Sequence, residues 1–283
     1  MKLFAVFGNP IKHSKSPVIH KLFAKQTGIL QNYIKINVPI NNFSQSIINF
    51  FQNGGLGANI TVPFKKEAYK ICDILTNRAK YSRTVNTIKI TNSKKILGDN
   101  TDGIGLLKDL KNLNFITSKS NILLLGAGGA AQGIVYSLIK FGCNITIVNR
   151  TYQHAKNIVQ YFKNIKKINC LKIEHLLNHL FNQINYDIII NATSSSMKGD
   201  IPNIPLSIIK PNVFCYDLFY ENGNTPFLKW CVSHGVKNIS DGIGMLIEQA
   251  AYAFYLWHGI MPDTKKIIIQ YKKKIFDINH FSF

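Results

Sequence analysis

The feature that most constrains the fold is a glycine-rich turn between an apolar segment and a helix-like segment. Residues 121–125 form a near-continuous apolar run, which is typical of a parallel strand buried on both faces. A helix-like pattern then runs to Gly142. The turn between them reads Gly126-Ala127-Gly128-Gly129-Ala130-Ala131. A strand, a turn of this kind and a helix in this order predict a dinucleotide-binding unit.

Each small residue of the turn has a physical role in that interpretation. Gly126 allows the tight turn, and Gly128 lets the backbone approach a pyrophosphate at the helix N-terminus. Ala131 takes the third small position. The alternative is a plain tight turn with no ligand. The cofactor-binding residues predicted here are Gly126, Ala127, Gly128, Gly129 and Ala130.

The end of the next strand, residues 144–148, selects between the two nicotinamide cofactors. An NAD site has a carboxylate at this point for the ribose 2′-hydroxyl. This chain has Asn149-Arg150-Thr151 instead. A guanidinium pairs with a 2′-phosphate, so the sequence favours NADP over NAD. The alternative is a surface arginine at a strand end, but only 3 of the 34 basic residues are arginine.

Strand-like and helix-like runs alternate along most of the 283 residues. This alternation predicts an α/β fold with parallel sheets and helices on both faces. We expect an N-terminal α/β substrate domain, a doubly wound Rossmann-like nucleotide domain, and C-terminal helices that return to the first domain. The expected boundaries are 1–102, 103–240 and 241–283. The predicted strands are 3–7, 32–38, 57–62, 85–91, 95–97, 121–125, 144–148, 186–190 and 213–216, and the main predicted helices are 17–27, 43–52, 65–74, 104–113 and 243–257.

The net charge of +20 raises the possibility of a nucleic-acid or anionic-membrane binder. The chain has 31 lysines, 42 isoleucines and 30 asparagines, a bias that an A/T-rich genome produces without selection for a basic surface. Proteins that bind nucleic acids also favour arginine for bidentate contacts. The lysines cluster only in residues 265–274, where interleaved isoleucines indicate a helix packed on the body. We therefore expect neither nucleic acid nor membrane as a partner.

Cysteine and histidine spacing gives no sign of a disulfide framework or a metal site. The five cysteines are odd in number and contain no C-x-x-C pair, so most are expected to be small core residues. His175 and His179 have the i, i+4 spacing of metal ligands but lack a third ligand nearby. No apolar run is long enough to span a bilayer. These features predict a soluble, cytoplasmic protein without a bound metal.

Two polar segments are candidates for substrate contact. In His13-Ser14-Lys15-Ser16-Pro17, Ser16 is placed as the N-cap and Pro17 as the first residue of a helix. The same segment could hold a substrate carboxylate, and spacing alone leaves both interpretations open. Thr61 and Lys65 follow a strand, and residues 99–103 form a polar turn at the predicted domain boundary. A lysine and an aspartate facing one hydroxyl can act as an acid–base pair, although spacing alone favours a surface turn.

These segments, taken together, resemble the shikimate dehydrogenase family over about residues 1–262. The resemblance is more specific than the glycine-rich turn alone because its motifs occur in order along the chain. They are residues 8–10, 13–17, 59–65, 85–87, 98–103, 126–130, 149–151, 191–194, 216–217 with Tyr220, and 241–242 with Gln249.

The resemblance implies NADP-dependent, reversible reduction of 3-dehydroshikimate to shikimate, a step toward aromatic amino acids, by a monomer or homodimer. It implies that Lys65 carries a proton beside Asp102. Ser14 and Ser16 would hold the substrate carboxylate, and the ring contacts would be Thr61, Asn86, Asp102, Tyr220 and Gln249. The nucleotide contacts would be Asn77, Gly126, Ala127, Gly128, Gly129, Ala130, Asn149, Arg150, Thr151, His154, Leu218 and Gly242.

Three positions depart from the family pattern. Position 154 is histidine where relatives often have a second arginine, with Lys156 nearby. Arg83 and Thr84 stand where relatives usually have small residues, beside the predicted substrate pocket. Asn77 replaces a residue that is often acidic. The nearest alternative function is a quinate/shikimate dehydrogenase with relaxed use of substrate and cofactor.

Overall fold

A computed structural model of the chain describes residues 1–166, 168–177 and 185–272. His179 and the last two lysines of the basic C-terminal segment therefore lie outside the described residues. The described chain forms two six-stranded sheets with helices packed around them. This arrangement confirms the predicted α/β fold with a Rossmann-like half.

The first sheet is built from the N-terminal hundred residues and has the order β2-β1-β3-β5-β6-β4. Strands β1, β2 and β3 are parallel, whereas β5 runs antiparallel to both β3 and β6, so this sheet is mixed rather than parallel throughout. Its strands are β1 (Lys2–Gly8), β2 (Gln31–Asn37), β3 (Gly55–Ile60), β4 (Ile74–Leu75), β5 (Thr87–Ile90) and β6 (Ile96–Asp99). Its helices are α1 (Ser16–Thr27), α2 (Phe43–Gln52), α3 (Lys65–Ile71) and α4 (Asn77–Ser82).

The second sheet has the order β12-β11-β10-β7-β8-β9 and is parallel throughout. Its strands are β7 (Asn121–Leu125), β8 (Asn144–Val148), β9 (Asn169–Leu171), β10 (Ile188–Asn191), β11 (Phe214–Asp217) and β12 (Asn238–Ser240). Its helices are α6 (Gly129–Phe141), α7 (Tyr152–Phe162), α8 (Ile173–Leu177) and α9 (Pro226–Ser233). β7 and β8 match their predicted bounds residue for residue because both faces of these strands are buried.

The main errors of the sequence prediction fall in short elements. The helix predicted over 65–74 ends at Ile71, and Ile74 instead begins the edge strand β4, which pairs with β6. The side chain of Asp73 accepts a hydrogen bond from the backbone of Ile96 and so stabilises this edge. Ser16 is the first residue of α1 rather than its N-cap, which is Lys15. Short apolar runs do not separate helix from strand by periodicity alone, which explains these errors.

Two long helices join the halves. α5 (Asp102–Asn112) connects the sheets, and α10 (Ile243–His258) packs along α5 and returns to α1, β3 and β5. The indole of Trp257 at the end of α10 donates a hydrogen bond to the carbonyl of Ile88 in β5, at 3.0 Å. The predicted return of the C-terminal helices to the first half is thereby confirmed.

The basic C-terminal segment begins as α11 (Lys265–Lys272), which packs on α10. Ile267 is buried in a cluster with Phe254, as the interleaved isoleucines predict. Lys272 reaches back to the hydroxyl of Ser240 on β12, at 3.1 Å. Within the described residues, no helix has the length and apolar character needed to cross a bilayer.

We predict that Gly105→Ala destabilises the protein. On an open helix surface alanine is the better helix former by about 1 kcal/mol. At this site the added Cβ would lie 2.6 Å from the backbone nitrogen of Gln249, so α5 and α10 must separate. We expect a loss of about 1–3 kcal/mol in the free energy of unfolding, measured by urea titration. Lys108→Ala, at an exposed position of the same helix, is the control and should change stability by less than about 0.5 kcal/mol.

Candidate active site

Lys65 and Asp102 form an ion pair at the junction of the two halves. Lys65 begins α3 and Asp102 begins α5, so each follows directly on a turn after a strand of the first sheet. The ammonium nitrogen of Lys65 lies 2.5 Å from Oδ2 of Asp102, with side-chain exposures of 14% and 7%. The surface-turn interpretation of these two residues is therefore wrong, since both side chains are largely enclosed.

The side chain of Asn86 hydrogen-bonds to the other oxygen of the Asp102 carboxylate. Its Nδ2 donates to Oδ1 of Asp102 at 2.7 Å. Nδ2 also lies 3.3 Å from Oε1 of Gln249 on α10. The Oδ1 of Asn86 accepts from the backbone nitrogen of Thr101 at 2.8 Å, which fixes the orientation of the amide. The polar groups of Lys65, Asn86, Asp102 and Gln249 are thus brought together from four separate elements.

A second chain of hydrogen bonds runs from this cluster toward the N-terminal serines. The Asn59 amide donates to the Thr87 hydroxyl at 3.1 Å, and the Asn59 oxygen accepts from the Tyr33 hydroxyl at 2.7 Å. The nearby side chain of Ser16 lowers the pKa of the Tyr33 hydroxyl and offsets part of the raising effect of its burial. The backbone nitrogen of Ser16 in turn donates to the Ser14 hydroxyl at 3.3 Å. The hydrogen-bonded network therefore runs from Lys65 to Tyr33, because the Thr87 hydroxyl donates to Asn86 at 2.9 Å, and Ser16 lies near its Tyr33 end.

Tyr33 and Asn59 were not predicted as site residues. Both lie on strands, β2 and β3, where their spacing resembles that of any half-buried strand residue. The parallel pairing of these strands with β1 places Tyr33 opposite Phe4 and Asn59 opposite Val6, which brings both to one face of the sheet. Asn59 begins one of the quoted sequence motifs, which is the only signal that could have identified it.

Thr61 and Tyr220 belong to different halves of the molecule. The backbone nitrogen of Thr61 donates to the carbonyl of Phe7 at 2.9 Å, so the turns after β1 and β3 lie side by side. The ammonium of Lys15 lies 5.2 Å from the centre of the Tyr220 ring. Lys15, Tyr220 and Asp241 line a cavity of about 370 Å³ between the two halves. The predicted substrate residues from Ser14 to Gln249 are thus distributed around the interface between the sheets.

The glycine-rich turn has the geometry that a pyrophosphate requires. Gly126 has φ of +104°, and a Cβ there would lie 2.9 Å from the carbonyl of Ala192. A Cβ at Gly128 or Gly129 would meet no atom within 4 Å, so both glycines border open space at the start of α6. An exposed helix N-terminus beside open space can accept an anionic group. The residues present therefore fit a dinucleotide.

The end of β8 lies next to this turn. Oδ1 of Asn149 accepts from the backbone nitrogen of Ala127 at 3.1 Å, and its Nδ2 donates to the carbonyl of Thr151 at 2.8 Å. Arg150 is exposed, and Thr151 is the N-cap of α7. His154, also exposed, lies in the first turn of that helix. Asn149 thus ties the glycine-rich turn to the segment that carries Arg150.

Two other predicted nucleotide residues touch each other. A Cβ on Gly242 would lie 2.1 Å from the carbonyl oxygen of Leu218, so only glycine fits this approach. The backbone nitrogen of Gly242 donates to the carbonyl of Phe219 at 3.1 Å. Asn77, by contrast, is exposed at the first residue of α4, and the described contacts do not connect it with the other nucleotide residues.

The glycine-rich helix approaches the ion pair directly. A Cβ on Gly133 of α6 would lie 3.0 Å from Nδ2 of Asn100 and 3.1 Å from Oδ2 of Asp102. The oxygen that Lys65 contacts is therefore only one methyl group away from the backbone of the helix that begins at the glycine-rich turn. This distance brings the Lys65–Asp102 pair close to α6, the helix that begins at the glycine-rich turn.

The polar turn before α5 is stabilised by an ion pair that sequence reasoning missed. Nη2 and Nε of Arg78 contact Oδ2 and Oδ1 of Asp99 at 2.5 and 3.1 Å. The hydroxyl of Thr76 donates to the same Oδ1 at 2.5 Å. Asp99 itself is fully buried. A bidentate arginine with these partners holds the turn that leads to Asp102 in one geometry.

Within the described residues, no group of three or more histidine, cysteine, aspartate or glutamate side chains could hold a metal ion. The pairing of His175 with His179 involves a residue outside the described chain. Of the five cysteines, Cys143, Cys215 and Cys231 are buried, as expected for core residues.

Behind the Tyr33 end of the network, His20 is a fully buried histidine in an aromatic cluster. Its ring stacks on Tyr33 with centroids 4.2 Å apart and an interplanar angle of 9°. Burial lowers the pKa of His20 to about 3, and the nearby Asn59 side chain offsets only part of that effect. His20 is therefore neutral in the folded protein at all ordinary pH values.

Comparisons with known proteins match both halves of the chain. Three family models match: the shikimate dehydrogenase substrate-binding domain at residues 6–88, the shikimate/quinate 5-dehydrogenase at 109–198, and the shikimate 5′-dehydrogenase C-terminal domain at 242–268.

Solved structures with the same architecture align over nearly the whole chain. An Ael1 enzyme from Pseudomonas putida is 36% identical, with 95% of this chain and 98% of that chain covered and a TM-score of 0.86. A shikimate dehydrogenase in complex with NADP⁺ is 30% identical, with coverages of 98% and 96% and a TM-score of 0.85. Shikimate 5-dehydrogenase from Thermus thermophilus, in complex with NADP(H) and shikimate, is 27% identical, with coverages of 96% and 99% and a TM-score of 0.83. The chain belongs to the shikimate dehydrogenase family.

We predict that His20 makes the stability of the protein depend on pH in the acidic range. The unfolded chain binds a proton at His20 near pH 6.5, whereas the folded chain binds it only near pH 3. The stability is therefore fully present above about pH 6.5 and is lost as the pH falls toward 3. Between pH 7 and pH 5, His20 alone should account for a loss of about 2 kcal/mol.

Urea unfolding of His20→Gln at both pH values checks this prediction, because glutamine takes up no proton. Its stability should fall by about 2 kcal/mol less than that of the parent over this range. His13→Gln, at an exposed position, should retain the full dependence. An unchanged pH dependence in His20→Gln would contradict the prediction.

Proposed function

We propose that this chain catalyses the reversible, NADP-dependent reduction of 3-dehydroshikimate to shikimate, with Lys65 and Asp102 as the catalytic residues. The observation that carries the proposal is the Lys65–Asp102 pair at 2.5 Å, one methyl group away from the backbone of the helix that opens at the glycine-rich turn. A proton carrier and a nucleotide site at one cleft are what a dehydrogenase requires. Family membership supports the choice of substrate.

The proton chemistry follows from the contacts of Lys65. When shikimate is oxidised, its reacting hydroxyl loses a proton as the hydride leaves the same carbon, and the neutral amine form of Lys65 accepts that proton to become the ammonium. In the reverse direction Lys65 returns the proton to the carbonyl oxygen. Asp102 orients the lysine through Oδ2, and Asn86 holds the carboxylate through Oδ1. The oxidised or reduced nicotinamide, when bound, accepts or supplies the hydride.

Binding of the remainder of the substrate is assigned to the polar network around the pair. Ser14 and Ser16 lie beside the N-terminus of α1 and would receive the carboxylate. Thr61, Asn86, Tyr220 and Gln249 would contact the ring oxygens. Tyr33 and Asn59 lie between the serines and the acid–base pair, and the hydrogen bonds of Asn59 to Tyr33 and Thr87 hold this part of the first half together.

The nucleotide contacts proposed here follow the order of the chain. Gly126 to Ala130 would receive the pyrophosphate, because the turn is open and lies at a helix N-terminus. Asn149, Arg150, Thr151 and His154 would surround the adenosine 2′-phosphate, and Leu218 and Gly242 the nicotinamide. Asn77 is assigned to the same cofactor. The five cysteines are free, as is usual in the reducing cytoplasm, where we place the enzyme.

The second candidate is a dehydrogenase with relaxed use of cofactor and substrate, which also accepts NAD and quinate, the other substrate in the description of the matched family. The observation that favours it is the single arginine at the end of β8, since His154 stands where relatives often have a second one. Fewer cations at the 2′-phosphate weaken the selection of NADP over NAD.

Absorbance of the reduced nicotinamide, measured with shikimate or quinate and with NADP or NAD, separates the two candidates. Rapid reduction of NADP with shikimate, slow reduction of NAD and none with quinate would support the first. Equal use of NAD or quinate would support the second. A folded protein that binds NADP and turns over neither substrate would contradict both.

We predict that Lys65→Ala lowers kcat by about 10²–10⁴-fold, because the reacting hydroxyl loses its proton carrier. The affinity for NADP should change little, since Lys65 lies on the substrate side of the cleft. Steady-state rates and fluorescence titration of NADPH measure the two effects. Lys66→Ala, which removes the same charge at the next, exposed position, is the control and should keep the parent rate. An undiminished kcat in Lys65→Ala would refute the assignment.

We predict that Arg150→Ala raises the KM for NADP by about 10- to 100-fold, the equivalent of losing a charged hydrogen bond. The KM for NAD should stay within about twofold of the parent, because NAD lacks the 2′-phosphate. Lys140→Ala removes a positive charge at the far end of α6 and controls for the general electrostatic field. If both cofactors weaken equally in Arg150→Ala, the arginine does not contact the 2′-phosphate.

A further inference from the structure

Arg83 has an unusual backbone conformation at the point where the two halves of the molecule meet. It follows α4 with φ of +50°, in the left-handed region that side chains other than glycine and asparagine rarely occupy. Such a conformation persists only where the surroundings fix it. The contacts of the side chain show what fixes it here.

The guanidinium of Arg83 crosses to the second half of the molecule. Its Cζ lies 4.2 Å from the centre of the Tyr161 ring on α7. Two residues earlier, Tyr81 of α4 stacks on Tyr136 of α6 with centroids 5.0 Å apart and an interplanar angle of 11°. These four residues, which we call the α4 clamp, join a helix of the first half to two helices of the nucleotide-binding half. Arg83, which the sequence places beside the predicted substrate pocket, therefore points toward α7.

The residues that follow Arg83 contact both members of the acid–base pair. The carbonyl and hydroxyl of Thr84 accept from Nδ2 of Asn100 at 3.2 and 2.8 Å. The backbone nitrogen of Val85 donates to the carbonyl of Lys65 at 2.9 Å. Asn86 then contacts Asp102, as described above. A short segment thus leads from the α4 clamp to Lys65 and Asp102.

We propose that Arg83 is a positioning residue, which holds the acid–base pair at a fixed distance from the nucleotide-binding half through the α4 clamp. The proposal rests on the proposed function for its kinetic consequence, whereas the clamp itself is a property of the free protein. Arginine suits this role because its planar guanidinium stacks on an aromatic face, which the compact ammonium of lysine does less well. With 31 lysines in the chain, an arginine at this strained position is informative.

The first test uses the ligand-free protein and needs no activity. Amide hydrogen exchange of residues 79–86 is compared in the parent, Arg83→Asn and Tyr161→Leu. Asparagine tolerates the left-handed conformation, so Arg83→Asn removes the cation without adding strain. Both variants should exchange about 2- to 10-fold faster, the factor that a partly exposed cation–π contact represents. Tyr161→Phe retains the ring, and its exchange should match the parent.

The second test measures turnover of shikimate and binding of NADP separately. We expect kcat/KM for shikimate to fall by about 2- to 10-fold in Arg83→Asn and in Tyr161→Leu. The double variant should be no worse than either single variant, since both remove the same contact. The Kd for NADP and the thermal midpoint should stay close to those of the parent, and Tyr161→Phe should behave as the parent in every measurement.

Three results would overturn the proposal. They are unchanged exchange in both variants, fully additive effects in the double variant, and a parallel loss of NADP affinity and thermal midpoint, which would show a purely structural role. Failure of the proposed function gives a different pattern. In that case the parent turns over no shikimate, while Arg83→Asn and Tyr161→Leu still accelerate exchange and Tyr161→Phe does not.

Discussion

The buried carboxylate of Asp102 is the constraint on which the rest of the arrangement depends. A carboxylate whose side chain is only 7% exposed is stable only if both oxygens have partners. Lys65 and Asn86 supply these partners from α3 and from the residue before β5. The position of the first residue of α5 therefore depends on two other segments of the first half. Since α5 connects the two sheets, the same contacts also set where the nucleotide-binding half begins.

Glycines allow the remaining helices to approach this point. A Cβ on Gly103 would lie 2.8 Å from the carbonyl of Gly133 on α6, and one on Gly105 would press on Gln249 of α10. Side chains at these positions would push both helices away from α5. The polar cluster around Asp102 would then lose Gln249 and open to water. The glycines thus allow the helices to pack closely, and this close packing keeps the Lys65–Asp102 ion pair enclosed.

The sequence predicted what is local and missed what depends on tertiary contacts. The strands at 121–125 and 144–148 were predicted to the residue because burial on both faces leaves a continuous apolar run. The roles of Lys65 and Asp102 came from family resemblance, since spacing alone favoured a surface turn. Tyr33 was not predicted as a site residue, because strand pairing brings it to the site from a distant part of the chain. The direction of the Arg83 side chain depends on Tyr161, 78 positions away, and no local pattern encodes it.

The three arginines show how a strongly biased composition remains compatible with a specific site. Lysine supplies 31 of the 34 basic side chains and accounts for most of the +20 charge. Each arginine stands where a planar, multivalent cation has a geometric use. Arg78 holds Asp99 with two nitrogens, Arg83 stacks on Tyr161, and Arg150 follows β8 at the expected 2′-phosphate position. Lysine can replace arginine where only the positive charge matters. It lacks the planar guanidinium that pairs with a carboxylate through two nitrogens or stacks on an aromatic ring. The positions of the three arginines therefore indicate function, whereas the total charge does not.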